Sequence, residues 1–305
     1  MPRVSRAWAA QSPYERFFDF IAPNADRFGI LSEHTERLGL SAVVIPIQEN
    51  RHFFIFPKNS NLKPHAGGSF PFCGQSPVVL TAHYDRVPGS SGANDNSAAV
   101  FHLLKAALIL NRQKIDKWII IFTDKEELQS GEGIGAQGSF SLAEKLRLWG
   151  LAKARIFNFD ACGTGDTFVF SSTSGYLLSK KKKPGFRRAS QTIDLLRETA
   201  LAAARRLRYS KVLSVPTPFS DDAGFLKGGI PAQTITMLPA GEAGPYATML
   251  RVSPKLADMI IAGSADRKLV PETWRHLNGP EDTYLRLTPE HYENIVRFAV
   301  ELCRP

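Results

Sequence analysis

At 305 residues, 43% hydrophobic and 22% charged, the chain can bury one large α/β core, and no apolar run approaches the roughly 18–20 residues of a membrane span. Net charge is +9, but "KKKKPGFRR" (180–188) carries six of those charges beside one aromatic, Phe186, so it reads as a solvated basic loop and no nucleic-acid partner is expected. Three cysteines (Cys73, Cys162, Cys303) make an odd number without a CxxC, which argues against a disulfide framework and for a reducing, cytoplasmic setting.

Near the start, "SPYERFFDFIAP" interleaves Phe17, Phe18, Phe20 and Ile21 with Glu15, Arg16 and Asp19, and is read as an amphipathic helix rather than an export signal. Two β-rich runs follow, "SAVVIPI" (41–47) and "HFFIF" (52–56), separated by "QENR" and expected to form a hairpin at a sheet edge. "PVVLTAH" (77–83) is apolar almost throughout, as a strand covered on both faces would be. A helix is predicted over 96–110, capped at Asn96 or Ser97, then a strand over 117–123. A helix over 141–150, strands over 154–160 and 166–172, and a long helix over 190–207 come next. The segment "SDD" (220–222) either caps a helix at 222–228 or contacts a ligand, and a strand covers 232–238. Residues 239–275, rich in Pro, Gly and Ala, are expected to form an irregular insertion. The last helix, 288–303, has Thr288 as cap and Pro289 at its first position. Strands alternating with helices predict an α/β fold: a single domain over 1–305 with a mixed, mostly parallel sheet flanked by helices.

Ligands of open α/β sheets gather at the carboxyl ends of the strands. His83 and Asp85 follow the 77–82 run, and Asp95 sits in "GANDN" at a helix start. Glu126 and Glu127 follow 117–123, and Asp160 follows 154–159. His276 and Asp282 come after the insertion. So many carboxylates would repel one another unless cations joined them. Imidazole with carboxylate suits zinc, and two ions about 3.5–4 Å apart can hold water as hydroxide. His83 and Asp85 stand at i and i+2, on one face of extended chain, so Asp85 can orient a ligating His83. Adjacent Glu126 and Glu127 point apart, which lets one bind metal while the other serves as general base. "GIGAQG" (133–138) fits a nucleotide fingerprint by its letters, but it lies about ten residues beyond the strand, so no phosphate loop is inferred.

In order, "AHYDRVPGSSGANDNSAA", "TDKEE", "NFDACG", "FSDDAGFLKGGIPA" and "HLNGPEDT" resemble the M28 family of metallo-aminopeptidases over residues 77–287. The resemblance implies a zinc-aminopeptidase, phosphorylase/hydrolase-like fold. It implies that His83, Asp95, Glu127, Asp160 and His276 ligate zinc, two ions per chain, with Asp95 bridging. It makes Glu126 the general base, Asp85 the partner of His83, and the Asp95–Asn96 peptide cis. The expected activity is hydrolysis of N-terminal peptide bonds by metal-activated water on peptides with a free N-terminus. Three features depart from the pattern. The stretch between the paired Glu and "GS" is long, and the related glutaminyl cyclases also carry a longer loop there. "SDD" stands where those enzymes carry an acidic pair. The spacing from His276 to Asp282 exceeds that of the closing HxxxD motif. A one-zinc glutaminyl-peptide cyclase is therefore the alternative.

Overall fold

The computed structural model describes residues 6–58, 76–180 and 184–305; Cys73 and residues 181–183 of the basic run lie outside them. Eight strands form one sheet: β1 (Ser41–Ile47), β2 (Asn50–Phe56), β3 (Val78–His83), β4 (Trp118–Thr123), β5 (Arg155–Phe159), β6 (Thr167–Ser171), β7 (Val212–Val215) and β8 (Ala232–Leu238). Their order is β1-β2-β4-β3-β5-β8-β6-β7. β1 and β2 form the expected antiparallel hairpin at one edge, turning at Gln48 and Glu49. The centre β4-β3-β5-β8 is parallel throughout, so the carboxyl ends of four strands open on one side.

Alternation along the central strands sends side chains into two cores. On one face Phe53, Ile55, Leu80, Ile120 and Phe122 pack under α2 (Ala98–Arg112) and α9 (Tyr292–Leu302), with Leu196 and Ala200 of α5 (Pro184–Arg206). On the other, Phe54, Val79, Ile119, Ile121 and Ile156 pack under α3 (Gly138–Leu148) and α6 (Asp221–Lys227). Both faces are therefore dry, which is why these strands read as continuous apolar runs. The shorter helices α1 (Arg27–Arg37) and α4 (Thr173–Ser179) fill the flanks. Among the described residues no helix is long and apolar enough to cross a membrane.

Two segments differ from the sequence reading. The N-terminal stretch forms short turns at Arg6–Ala10, Tyr14–Arg16 and Phe17–Phe20 rather than one helix. Pro13 cannot donate to a helical ladder, so the run breaks there. Its aromatics still pack: Trp8 sits 4.9 Å from Phe17 and 5.1 Å from Tyr292, ring centre to ring centre. The stretch 239–275 is not irregular; it folds as α7 (Ala240–Val252) and α8 (Pro254–Ile261). Tyr246, Leu256 and Ile260 from these helices bury Val169, Val215 and Leu238 together with Trp274. Pro254 takes the first position of α8, where its missing N–H costs nothing.

Candidate metal centre at the carboxyl edge

β3 ends on His83, wholly buried and paired in register with Thr123 of β4. Two residues on, Asp85 turns back and accepts the backbone N–H groups of Glu126 (3.2 Å) and Glu127 (3.0 Å). Its Oδ1 lies 3.4 Å from His83 Nδ1. Burial would raise the Asp85 carboxyl, but the His83 ring and the two amides outweigh it and hold it below the usual range. One carboxylate thus ties the end of β3 to the loop after β4.

The opposite ring nitrogen of His83 faces two further carboxylates, Asp95 Oδ1 at 3.0 Å and Asp160 Oδ1 at 3.8 Å. Burial opposes charge on His83, yet Asp160, Asp85 and Asp95 raise it well above the ordinary imidazole range. Asp95 is held by its backbone. Its N–H donates to Asp282 Oδ2 (3.1 Å), and that of Asn94 donates to Asp282 Oδ1 (2.8 Å). The Asp95–Asn96 peptide is cis. Asn96 Nδ2 donates to Phe159 O (2.8 Å), and its Oδ1 accepts the N–H of Ala161 (3.2 Å). Asn94 Oδ1 accepts the N–H of Gly163 (2.7 Å). The two asparagines flanking Asp95 therefore fix the turn that carries Asp160.

Glu126 and Glu127, although adjacent, bring carboxylate oxygens within 4.8 Å of each other and of His83, closer than side chains pointing apart would be. Glu127 Oε1 is buried without a hydrogen-bond partner, and burial with the nearby Asp95 pushes this carboxyl up to about 9. Burial likewise raises Glu126 well above the carboxylate range. Gln137 Nε2 donates to Glu126 Oε1 at 3.2 Å. The loop that mimics a nucleotide fingerprint thus delivers Gln137 to Glu126. Gly138 is required there, since a Cβ would stand 1.9 Å from the Asp124 carbonyl oxygen. Asp221, at the start of α6, accepts from Thr123 Oγ1 at 2.5 Å, and burial pushes it up to about 6.

Ligand atoms of His83, Asp95 and Asp160 fall within 4.8 Å of one another, and so do those of His83, Glu126 and Glu127. Among the described residues no lysine or arginine pairs with any of these carboxylates. Unpaired Glu127 Oε1 and a His83 Nε2 without a hydrogen bond are what a cation would complete. The donor set of one imidazole with several carboxylates fits a divalent ion.

His276 is in neither of these groups, though its Nδ1 is buried without a hydrogen-bond partner among the described residues. It follows the short helix Glu272–Arg275, is 20% exposed, and its Nε2 lies 4.0 Å from Glu272 Oε1. It lines a cavity of ≈ 770 Å³ with Asn94, Glu242, Thr273 and Asp282. Asp282 is pinned by the Asn94 and Asp95 amides, and five residues separate it from His276 where the closing motif has three. Asn278, four residues before Asp282 and at φ 60°, lines the cavity beside Asp95, Glu126 and Asp160, as do Trp274 and Leu277 on either side of His276. That cavity is ≈ 170 Å³, with Phe219 and Trp274 among its walls. The sequence reading missed Asn94, Asn96, Gln137 and Asn278. "GANDN" marks the first two by proximity to Asp95, and counting back from Asp282 marks the last.

A sequence model of Peptidase family M28 matches residues 67–302. The chain belongs to peptidase family M28. Aminopeptidase YwaD of Bacillus subtilis (strain 168) is 38% identical over 89 residues, 28% of this M28 chain and 18% of its own length. The fold is similar to that of BSAP, a zinc aminopeptidase from Bacillus subtilis, with a TM-score of 0.53 and 19% identity over 83% of this chain and 48% of BSAP. It is also similar to a Bacteroides thetaiotaomicron glutaminyl cyclase bound to N-acetylhistamine, with a TM-score of 0.60 and 17% identity over 94% of each chain. The M28 chain spans under a fifth of the curated relative and about half of BSAP.

Proposed function

We propose that the protein is a zinc-dependent aminopeptidase acting on peptides with a free N-terminus. The observation that carries this reading is the convergence of His83, Asp95, Glu127 and Asp160 beside Glu126, with no lysine or arginine paired to them among the described residues. These four residues, with His276 as the fifth, would hold the metal. A bound zinc ion would polarise the scissile carbonyl and acidify water. Asp85 keeps the His83 ring oriented. Glu126, buried and held by Gln137, takes the proton of the attacking water and returns it to the leaving amine. The ≈ 170 Å³ cavity has room for the N-terminal residue between Phe219 and Trp274. Buried, free Cys162 and Cys303 support a reducing, cytoplasmic setting.

The long stretch between Glu127 and Gly138 and the buried Asp221–Asp222 pair favour a second reading, a glutaminyl-peptide cyclase with one zinc and an aromatic wall at Trp274. Elemental analysis of the untreated protein separates the two readings: two zinc ions per chain for the peptidase, one for the cyclase. An aminoacyl-amide panel and an N-terminal Gln peptide, each with and without chelator, test the activity. Chelator-sensitive release from unblocked but not N-acetylated amides is the expected outcome; ammonia loss from the Gln peptide alone would establish the second reading. Glu126→Gln should lower kcat by at least about 10²-fold with zinc content unchanged. Normal turnover in the Glu126→Gln protein would rule out Glu126 as the base.

A further inference from the structure

A second large cavity lies away from the metal centre. It measures ≈ 1020 Å³ and runs between α5 and α6, reaching the amino ends of β5 and β8 at Arg155 and Pro231. Leu177, Leu178, Phe186, Leu195, Leu196 and Leu226 form much of its wall. Leu195 is 64% exposed, unusual for a leucine that flanks a cavity. Among the described residues four cations, Lys153, Arg155, Arg188 and Lys227, stand around it, and no aspartate or glutamate lines it. None of the four forms an ion pair with a described residue, although most of the exposed acidic side chains nearby on α5 and α8 do pair, as Asp194 does with Arg197 and Asp258 with Lys180. Thr192 is the only uncharged side-chain hydrogen-bonding group among the described lining residues.

The chemistry of such a site is narrow. Unpaired cations around an apolar trough complement a ligand that is anionic at one end and hydrocarbon along its length. A peptide is a poor match, because its backbone N–H and C=O groups would be desolvated with almost nothing to pair them. We propose that this groove binds a long-chain fatty carboxylate, its tail along the leucines and its head on the basic rim. This accounts for Arg188, part of the basic run that the metal centre leaves without a role. The inference does not depend on the peptidase reading, since no residue of the groove wall used below belongs to the metal cluster.

The test is calorimetric titration of the full chain with octanoate, decanoate and dodecanoate below micelle formation, with butyrate and 1-decanol as controls. Saturable binding at one site is expected, tightening by about two- to fourfold per added methylene, with butyrate silent. Decanol should bind at least fivefold more weakly than decanoate. Leu195→Glu, a change at an exposed position, should weaken dodecanoate binding at least tenfold, whereas Leu148→Glu, on exposed α3 surface outside the groove, should not. Arg155→Gln combined with Arg188→Gln should abolish the preference for decanoate over decanol. The absence of saturable dodecanoate binding would overturn the proposal, as would binding indifferent to Leu195→Glu. Two other outcomes would also overturn it: displacement of dodecanoate by an acidic apolar peptide that binds more tightly, or a dimer that Leu195→Glu dissociates.

Discussion

Asp222 shows how an acid at the metal-bearing edge can matter without touching the cation cluster. It is buried at the start of α6, accepts from Ser174 Oγ at 2.8 Å, and accepts the N–H of Ser220 at 3.3 Å. Burial pushes this carboxyl up to about 6 against both hydrogen bonds. An unfolded aspartate titrates near about 3.9, so between these values the folded protein keeps a proton that the unfolded chain has released. The stability linked to that proton is complete below pH of about 4 and is lost as pH rises through about 6. Asp222→Asn keeps the shape and removes the titration. Denaturant unfolding measured from pH 4 to 7 should therefore fall less steeply in the variant, by up to about 3 kcal/mol across the window. Equal slopes for the two proteins would show that Asp222 is not the group responsible. Asp282, by contrast, is 2% exposed and gives both oxygens to the amides of Asn94 and Asp95. Its work is to hold the backbone of a proposed ligand.

At the scale of elements, the centre of the sheet and its order of side chains were readable because both faces are buried. Strands such as β4 are apolar at every position but the last, and β8 matches its expected range of 232–238. The paired Glu after β4 and His83 at the end of β3 come to one place because parallel register aligns those strand ends. Other parts were hidden for physical reasons. β7 is a four-residue strand, "VLSV", too short for period 2 to show. α7 and α8 were obscured by Gly241, Gly244, Pro245 and Pro254, which local propensity counts against a helix although packing on Tyr246 and Leu256 sustains one. Spacing alone does not say which of His276 and Asn278, both near Asp282, faces the acidic cluster. Gly138 joins these elements. It starts α3, donates to Lys125 O at 2.9 Å, and has no room for a side chain against the Asp124 carbonyl. Gly138→Ala should therefore destabilise the protein by about 1–3 kcal/mol and displace the loop bearing Glu126 and Gln137. Chemical denaturation and steady-state kinetics would both register it, with a lower midpoint and a lower kcat. An unchanged midpoint would mean that the loop absorbs the extra methyl.

Across the whole molecule, charge is sorted along the strand direction. Carboxylates collect where β3, β4 and β5 end, and Lys153 and Arg155 stand where β5 begins. The acidic end is the costly one. Asp95, Glu126 and Glu127 are all displaced upward by burial, and His83 is the only basic side chain that faces them at close range among the described residues. Folding brings these groups together, so an ion that binds the folded state alone should stabilise it by mass action. At a hundredfold excess over its dissociation constant, zinc would add about 2.7 kcal/mol, a rise in Tm of about 4 °C for a chain of this size. Chelator-treated protein should melt lower, and added zinc should restore it in a concentration-dependent way. Glu126→Gln should keep the shift, because Glu126 is proposed to move a proton rather than hold the metal. His83→Ala should lose it, because both candidate ligand groups contain that imidazole. If zinc moved the His83→Ala protein as far as the wild type, the stabilising ion would have to sit elsewhere, and the cluster at the carboxyl edge would need another explanation for its unpaired acids.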